Sequence, residues 1–175
     1  DAWYNQQYEH NGNGIAANTA ESNNTASASI NVTIADYADL QVRNLTATPA
    51  NLHSGEVLQI SWVDANTGSR ATDASWYDRV VVVNSTTGAT LLDTAVYHSH
   101  AAEGAVAPGN NLTRAYNFTL PNGDAGVGAL LVTVTADVYN DQYEYNASGT
   151  GQSNNDATTA ATSTIAVYAD LEVRN

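Results

Sequence analysis

Apolar and polar residues alternate along much of this chain with a period of two. Leu130, Val132, Val134, Ala136 and Val138 make the longest such run. Successive side chains of a strand point to opposite faces, so this pattern predicts strands with one buried side. Ile30, Val32 and Ile34 alternate with Asn31 and Thr33, and Leu40 and Val42 continue the pattern. Leu58, Ile60 and Trp62 read as one face of a strand, with Gln59, Ser61 and Asp64 assigned to the other. Tyr116, Phe118 and Leu120 alternate with Asn117 and Thr119. Val80 to Val83 is an unbroken β-branched run, as expected of a strand covered on both faces. Leu91 to Tyr97 reads as a peripheral strand, and Thr162 to Val167 as the last.

Turn residues punctuate these runs: Pro49, Ser54-Gly55, Asn66-Thr67-Gly68, Asn84 to Gly88, Pro108 to Asn111 and Pro121-Asn122-Gly123. No stretch carries helical periodicity. About seven short strands with turns between them predict an all-β fold, an immunoglobulin-like β-sandwich with Trp62 in its core.

A repeat decides how these strands are grouped. Tyr37 to Asn44 reads YADLQVRN and Tyr168 to Asn175 reads YADLEVRN, seven of eight positions identical at a spacing of 131 residues. The likeness extends backwards: Tyr4-Asn5 and Tyr8-Glu9 match Tyr139-Asn140 and Tyr143-Glu144, and Asn23-Asn24 matches Asn154-Asn155. Self-similarity at a fixed period is the mark of a repeat architecture. The chain therefore divides into residues 1–36, the terminal strands of a preceding repeat or an N-terminal strand extension; residues 37–168, one complete domain; and residues 169–175, the start of the next repeat. Tyr37, Asp39, Tyr168 and Asp170 are the expected junction residues.

Composition narrows the setting. There are 18 carboxylates, five arginines and no lysine, for a net charge of −13. Such a surface disfavours nucleic acid and anionic lipid, whose phosphates are held by Lys and Arg. No apolar run reaches the ~20 residues of a membrane helix. There is no cysteine, hence no disulfide and no thiol chemistry. Abundant Asn, Thr, Ala and Gly fit an extracellular or cell-surface protein.

Several short signatures fall in one order: Asp39-Leu40-x-Val42, Ser54-Gly55-Glu56 leading to Ser61-Trp62, Asn66-x-Gly68, Trp76-x-Asp78-Arg79, Pro108-Gly109, Leu120-Pro121-x-Gly123, Asp137-x-x-Asn140-x-x-x-Glu144 and Asn154-Asn155. In this order they resemble the cell-adhesion-related domain found in bacteria (CARDB), over residues 37–155. The resemblance implies an immunoglobulin-like module recurring in tandem in large secreted and surface proteins, with an adhesive or structural role and no catalytic centre.

Candidate chemistry is sparse. Asp137, Asn140, Asp141 and Glu144 are oxygen donors at a strand end, a candidate calcium site, since calcium accepts carboxylates and amides from irregular loops. The alternative is that they hydrogen-bond the backbone at turns. Asn-x-Ser/Thr sequons stand at Asn23, Asn31, Asn44, Asn84, Asn111, Asn117 and Asn146, all expected in loops, turns or polar faces. His98 and His100 read as exposed loop residues rather than a metal pair, and Gly123 to Gly128 as a turn rather than a phosphate loop. Neither a nucleophile elbow nor a His-Glu-x-x-His motif is present, so no enzymatic activity is expected. Tyrosines at 4, 8, 37, 139, 143, 145 and 168 gather near the repeat ends, suited to domain packing or to sugars. The expected role is a structural or adhesive element of an extracellular filament or stalk, its partners identical or homologous repeats placed end to end. The alternative is a carbohydrate-binding or calcium-dependent accessory module directed at surface glycans.

Overall fold

Trp62 and Trp76 belong to one buried core, 1% and 0% exposed, each on a strand whose alternate residues point inward. The computed structural model describes residues 25–173. It divides into two units, Asp1–Ala35 and Asp36–Asn175. Residues 25–35 of the first unit form no strand, and Ile30, Val32 and Ile34 are 83%, 84% and 69% exposed. The alternation predicted a strand there; the period is present, but among the described residues no strand pairs with it.

The second unit is a sandwich of two sheets. One has the order β1-β3-β6, built from β1 (Leu40–Thr48), β3 (Val57–Asn66) and β6 (Asn111–Thr119). The other has the order β2-β8-β7-β4-β5, from β2 (Asn51–His53), β8 (Asp156–Thr164), β7 (Gly128–Thr135), β4 (Trp76–Asn84) and β5 (Ala89–His98). Pairing is antiparallel except between β2 and β8, which run parallel. Chain order and sheet order match the immunoglobulin arrangement. A single turn of helix, α1 (His100–Glu103), follows β5, and a 3-10 turn at Gly123–Gly126 precedes β7. The inner faces contribute Leu40, Leu58, Ile60, Val80, Val82, Leu130, Val132, Val134 and Ala136 to one core.

Four expectations are corrected. Val81 and Val83 lie on the outer face of the five-stranded sheet, so the valine run is covered fully on one side only. Asp64 shares the parity of Trp62 and points inward, wholly buried, despite its charge. The last strand is Asp156–Thr164 rather than Thr162 to Val167, because its inward positions, Ala157, Thr159, Ala161 and Ser163, are small and weakly apolar. The strand carrying the run from Leu130 ends at Thr135, with Ala136 still facing the core, and left-handed backbone conformations at Asp137, short of Val138, and at Asn140 turn the chain.

Candidate functional site

The two ends of β1 and β8 place the chain's passage through the sandwich. β1 begins beside Asn66 and pairs antiparallel with β3, so Leu40 and Asn66 share one pole, here called proximal. β8 ends beside Ser54, just ahead of β3, at the opposite, distal pole. The chain thus comes in at one end and leaves at the other.

The proximal pole is built around Asp39, which is buried. Its carboxylate accepts from Thr67 Oγ1 at 2.7 Å, Gln41 Nε2 at 3.2 Å, Asn154 Nδ2 at 3.0 Å and Asn146 Nδ2 at 3.3 Å. Asn66 Oδ1 accepts from Asp39 N–H and Gly68 N–H, while its Nδ2 donates to the carbonyls of Arg70 and Val106. Ser69 and Arg70 N–H groups donate to the Tyr37 carbonyl. A Cβ on Gly68 would collide with that carbonyl, which explains the glycine of Asn66-x-Gly68. The ring of Tyr37 packs edge-on against Tyr143 and Tyr145, centroids 5.0 and 5.9 Å away.

Glu144 completes this pole. Its Oε2 accepts the Leu40 N–H at 3.0 Å, and its backbone bridges Ala38. Burial pushes its carboxyl up to about 8, so it holds a proton at neutral pH. Asn155, with its amide turned to satisfy both ends, donates to the carbonyls of Leu40 and Gly151, each at 2.9 Å.

The distal pole receives the departing chain. Ser54 N–H donates to Thr164 O at 2.8 Å, and Ala166 N–H to Ser54 Oγ at 3.1 Å. The Tyr168 hydroxyl lies 2.7 Å from Ser54 Oγ and accepts the Gly123 N–H at 2.7 Å. Gly55 N–H donates to Pro121 O, and Leu120 N–H to Glu56 O. The Ser54-Gly55-Glu56 and Leu120-Pro121-x-Gly123 signatures therefore form one dock. Beyond it Asp170 is exposed, and Leu171 and Val173 are each 93% exposed.

The predicted calcium ligands do not converge. Asp137 is buried and accepts the N–H groups of Asp141 at 2.8 Å and Gln142 at 3.0 Å. Asn140 and Asp141 are exposed, and Glu144 faces β1. Among the described residues no group of three or more His, Cys, Asp and Glu side chains is placed to hold a metal ion. The Asp137 carboxylate thus closes the turn through those two N–H groups.

Of the sequons, Asn31, Asn44, Asn111 and Asn117 are exposed and Asn146 is half-buried. Asn23 lies outside the described residues, as do Tyr4 and Tyr8. Asn84 is fully buried, donates to Val127 O and accepts from Thr86 and Thr87 N–H groups, so the turn placement expected to expose it instead encloses it. His98 is likewise buried, 3.8 Å from Trp76 between ring centroids, and corrects the expectation of an exposed histidine.

Sequence reading missed a buried polar hub joining the sheets. Asp78 on β4 accepts from the indoles of Trp62 at 3.1 Å and Trp76 at 3.0 Å. The Arg114 guanidinium on β6 lies 3.6 Å from it and donates to Val96 O at 2.9 Å. Asp64 is pressed against Asp78; burial, then the Asp78 charge, pushes its carboxyl well above the usual range. Both Asp64 carboxylate oxygens are buried without a hydrogen-bond partner among the described residues, so burial disfavours the charged form there. Parity along β3 and β6 was the available signal for Asp64 and Arg114.

No family profile matches the sequence, and no curated protein does. Solved structures do. The CARDB domain of the PF1109 protein from Pyrococcus furiosus, crystallised with di-metal ions, aligns with a TM-score of 0.53 at 19% identity, covering 77% of this chain and all of that one. Its solution structure aligns with a TM-score of 0.51 at 17% identity over 75% of this chain and all of that one. The fold is that of a CARDB domain. The signatures that carry the resemblance in sequence are, in this CARDB-like domain, the residues of its two poles and of the Trp–Asp hub.

Proposed function

We propose that this CARDB-like domain is a structural module of an extracellular filament or cell-surface stalk, placed end to end with further copies and carrying no catalysis. One observation carries the reading. The segment leaving the distal pole repeats the segment that forms β1, yet Leu171 and Val173 are each 93% exposed where Leu40 and Val42 are 0% and 7%. Apolar side chains in strand alternation with no core beneath them are completed by another domain. Nearest-neighbour contacts stabilise such arrays. Electron microscopy of the native assembly tests this: a fibre with an axial repeat of one sandwich length supports it, and isolated monodisperse 18 kDa particles overturn it. The acidic surface and the absence of thiols suit an extracellular place, with no nucleic-acid partner.

A second reading, glycan binding, draws on Tyr77 and Tyr97, 37% and 50% exposed on the outer face of the five-stranded sheet, and on Tyr139, 64% exposed in the turn after β7. Tyr77 lies 4.7 and 5.7 Å from the other two rings. The rings are tilted to one another rather than coplanar, which favours the structural reading. Binding to a glycan array, lost in Tyr97→Ala, would reverse that preference.

A further inference from the structure

The two copies of the repeated octad show the same tyrosine from two sides. Tyr168 is seen leaving a domain: its hydroxyl is held by Ser54 Oγ and the Gly123 N–H, while the residue stays 48% exposed. Tyr37 is seen arriving at one: its ring lies edge-on to Tyr143 and Tyr145, and its carbonyl takes the Ser69 and Arg70 N–H groups. The identity around them is wider than the octad. Thr33-Ile34-Ala35 stands before Tyr37 as Thr164-Ile165-Ala166 stands before Tyr168, so 10 of the 12 positions in 33–44 and 164–175 agree.

We infer that each such tyrosine is a two-sided rivet between successive domains, its hydroxyl fixed in the distal pole of one and its ring in the proximal pole of the next. The occupant of the C-terminal segment is then a second copy of this domain. Leu171 and Val173 fill the places of Leu40 and Val42 beside its β3, and Asp170 takes the place of Asp39 among its Thr67, Asn146 and Asn154 counterparts. The two functions do not compete, because one uses the phenolic oxygen and the other the exposed ring. Only residues 165–170 separate the end of β8 from the start of the next β1, and one side chain in that stretch touches both poles. Such a joint holds a fixed angle rather than acting as a swivel. This rests on the end-to-end reading and adds how the joint is made rigid.

The test is the full 175-residue chain extended in frame by a further copy of residues 45–175, so that residues 168–175 must supply the first strand of the added domain. Amide exchange at Leu171 and Val173 is expected to slow by at least ~100-fold relative to the unextended chain. Residual dipolar couplings are expected to give one alignment tensor for both domains. Tyr168→Phe, which removes only the hydroxyl, is expected to leave both melting transitions in place while the tensors diverge; Ser54→Ala is expected to do the same. An added domain that fails to fold, with Leu171 and Val173 still exchanging freely, overturns the end-to-end reading itself. A folded added domain whose tensor is already independent in the unsubstituted protein, or is unmoved by Tyr168→Phe and Ser54→Ala, overturns the rivet alone.

Discussion

The indole nitrogen of Trp62 on β3 donates across the sandwich to the carboxylate of Asp78 on β4, 3.1 Å away with both residues buried. Immunoglobulin domains often join their sheets by a disulfide; this chain has no cysteine and joins them by polar contacts instead. The carboxylate also takes the Trp76 indole and faces Arg114.

Asp78→Ala should therefore be among the most damaging single changes. It leaves two buried indole N–H groups and the Arg114 charge without their acceptor, a loss of about 3–5 kcal/mol. Trp62→Phe, which removes one donor and some packing, should cost about 1–3 kcal/mol. Urea denaturation of the two variants checks both the size and the order.

Stability should fall as pH rises above the ordinary carboxylate range. Glu144 is held up to about 8 and Asp137 to about 6, against 4.5 and 3.8 for the free groups, first because burial disfavours their charged forms. The folded state binds more protons than the unfolded one in that window. Their stabilising contribution is thus fully present below the free-group values and is lost up to the folded ones, at about 1.4 kcal/mol per proton per pH unit. Glu144→Gln keeps an acceptor for the Leu40 N–H and should flatten the decline between pH 6 and 8. Denaturation midpoints across pH 5–9 for the two proteins measure this directly.

Gly68→Ala should loosen the proximal pole, because the new Cβ meets the Tyr37 carbonyl and the backbone of Ala38 and Asp39. A cost of about 1–3 kcal/mol is expected. Faster amide exchange at Ser69 and Arg70, whose N–H groups bind that carbonyl, would locate the effect.

Expressed in a host that glycosylates sequons, the folded protein should carry glycans at Asn44, Asn111 or Asn117 and none at Asn84. Asn84 is enclosed, its amide bound to Val127 O. Glycopeptide mass spectrometry of the folded fraction reads this out.

Chelation should leave the melting temperature unchanged. The carboxylate of Asp137 is engaged by backbone N–H groups, and Glu144 binds Leu40 instead of facing a shared ion. A fall in melting temperature with EDTA, restored by calcium, would reinstate the metal site.

What the sequence made legible was whatever period and turn chemistry control. The core faces of β3, β6 and β7 and the turns between strands follow from alternation and from Gly, Pro and Asn, and the ordered signatures pointed to this fold. Where burial is shared by polar or small residues, the signal weakened. β8 is lined by Ala, Thr and Ser, so its bounds slipped. Asp64 was assigned to solvent by its charge, although its parity with Trp62 placed it inside. Asp137 and Glu144 looked like ligands because sequence shows carboxylates but not the backbone N–H groups that they accept.

The parallel pairing of β2 with β8 has a mechanical consequence. A pull on Leu40 through the proximal pole and on Thr164 through the distal pole draws β2 and β8 past one another along their own axes. The register Asn51↔Thr162, Leu52↔Ser163 and His53↔Thr164, with Ser54 N–H on Thr164 O, is then loaded in shear, its bonds straining together rather than opening one at a time. A short strand of three residues is thus a clasp that tension loads in shear, and single-molecule extension of wild type against Leu52→Pro would read its strength as a drop in unfolding force.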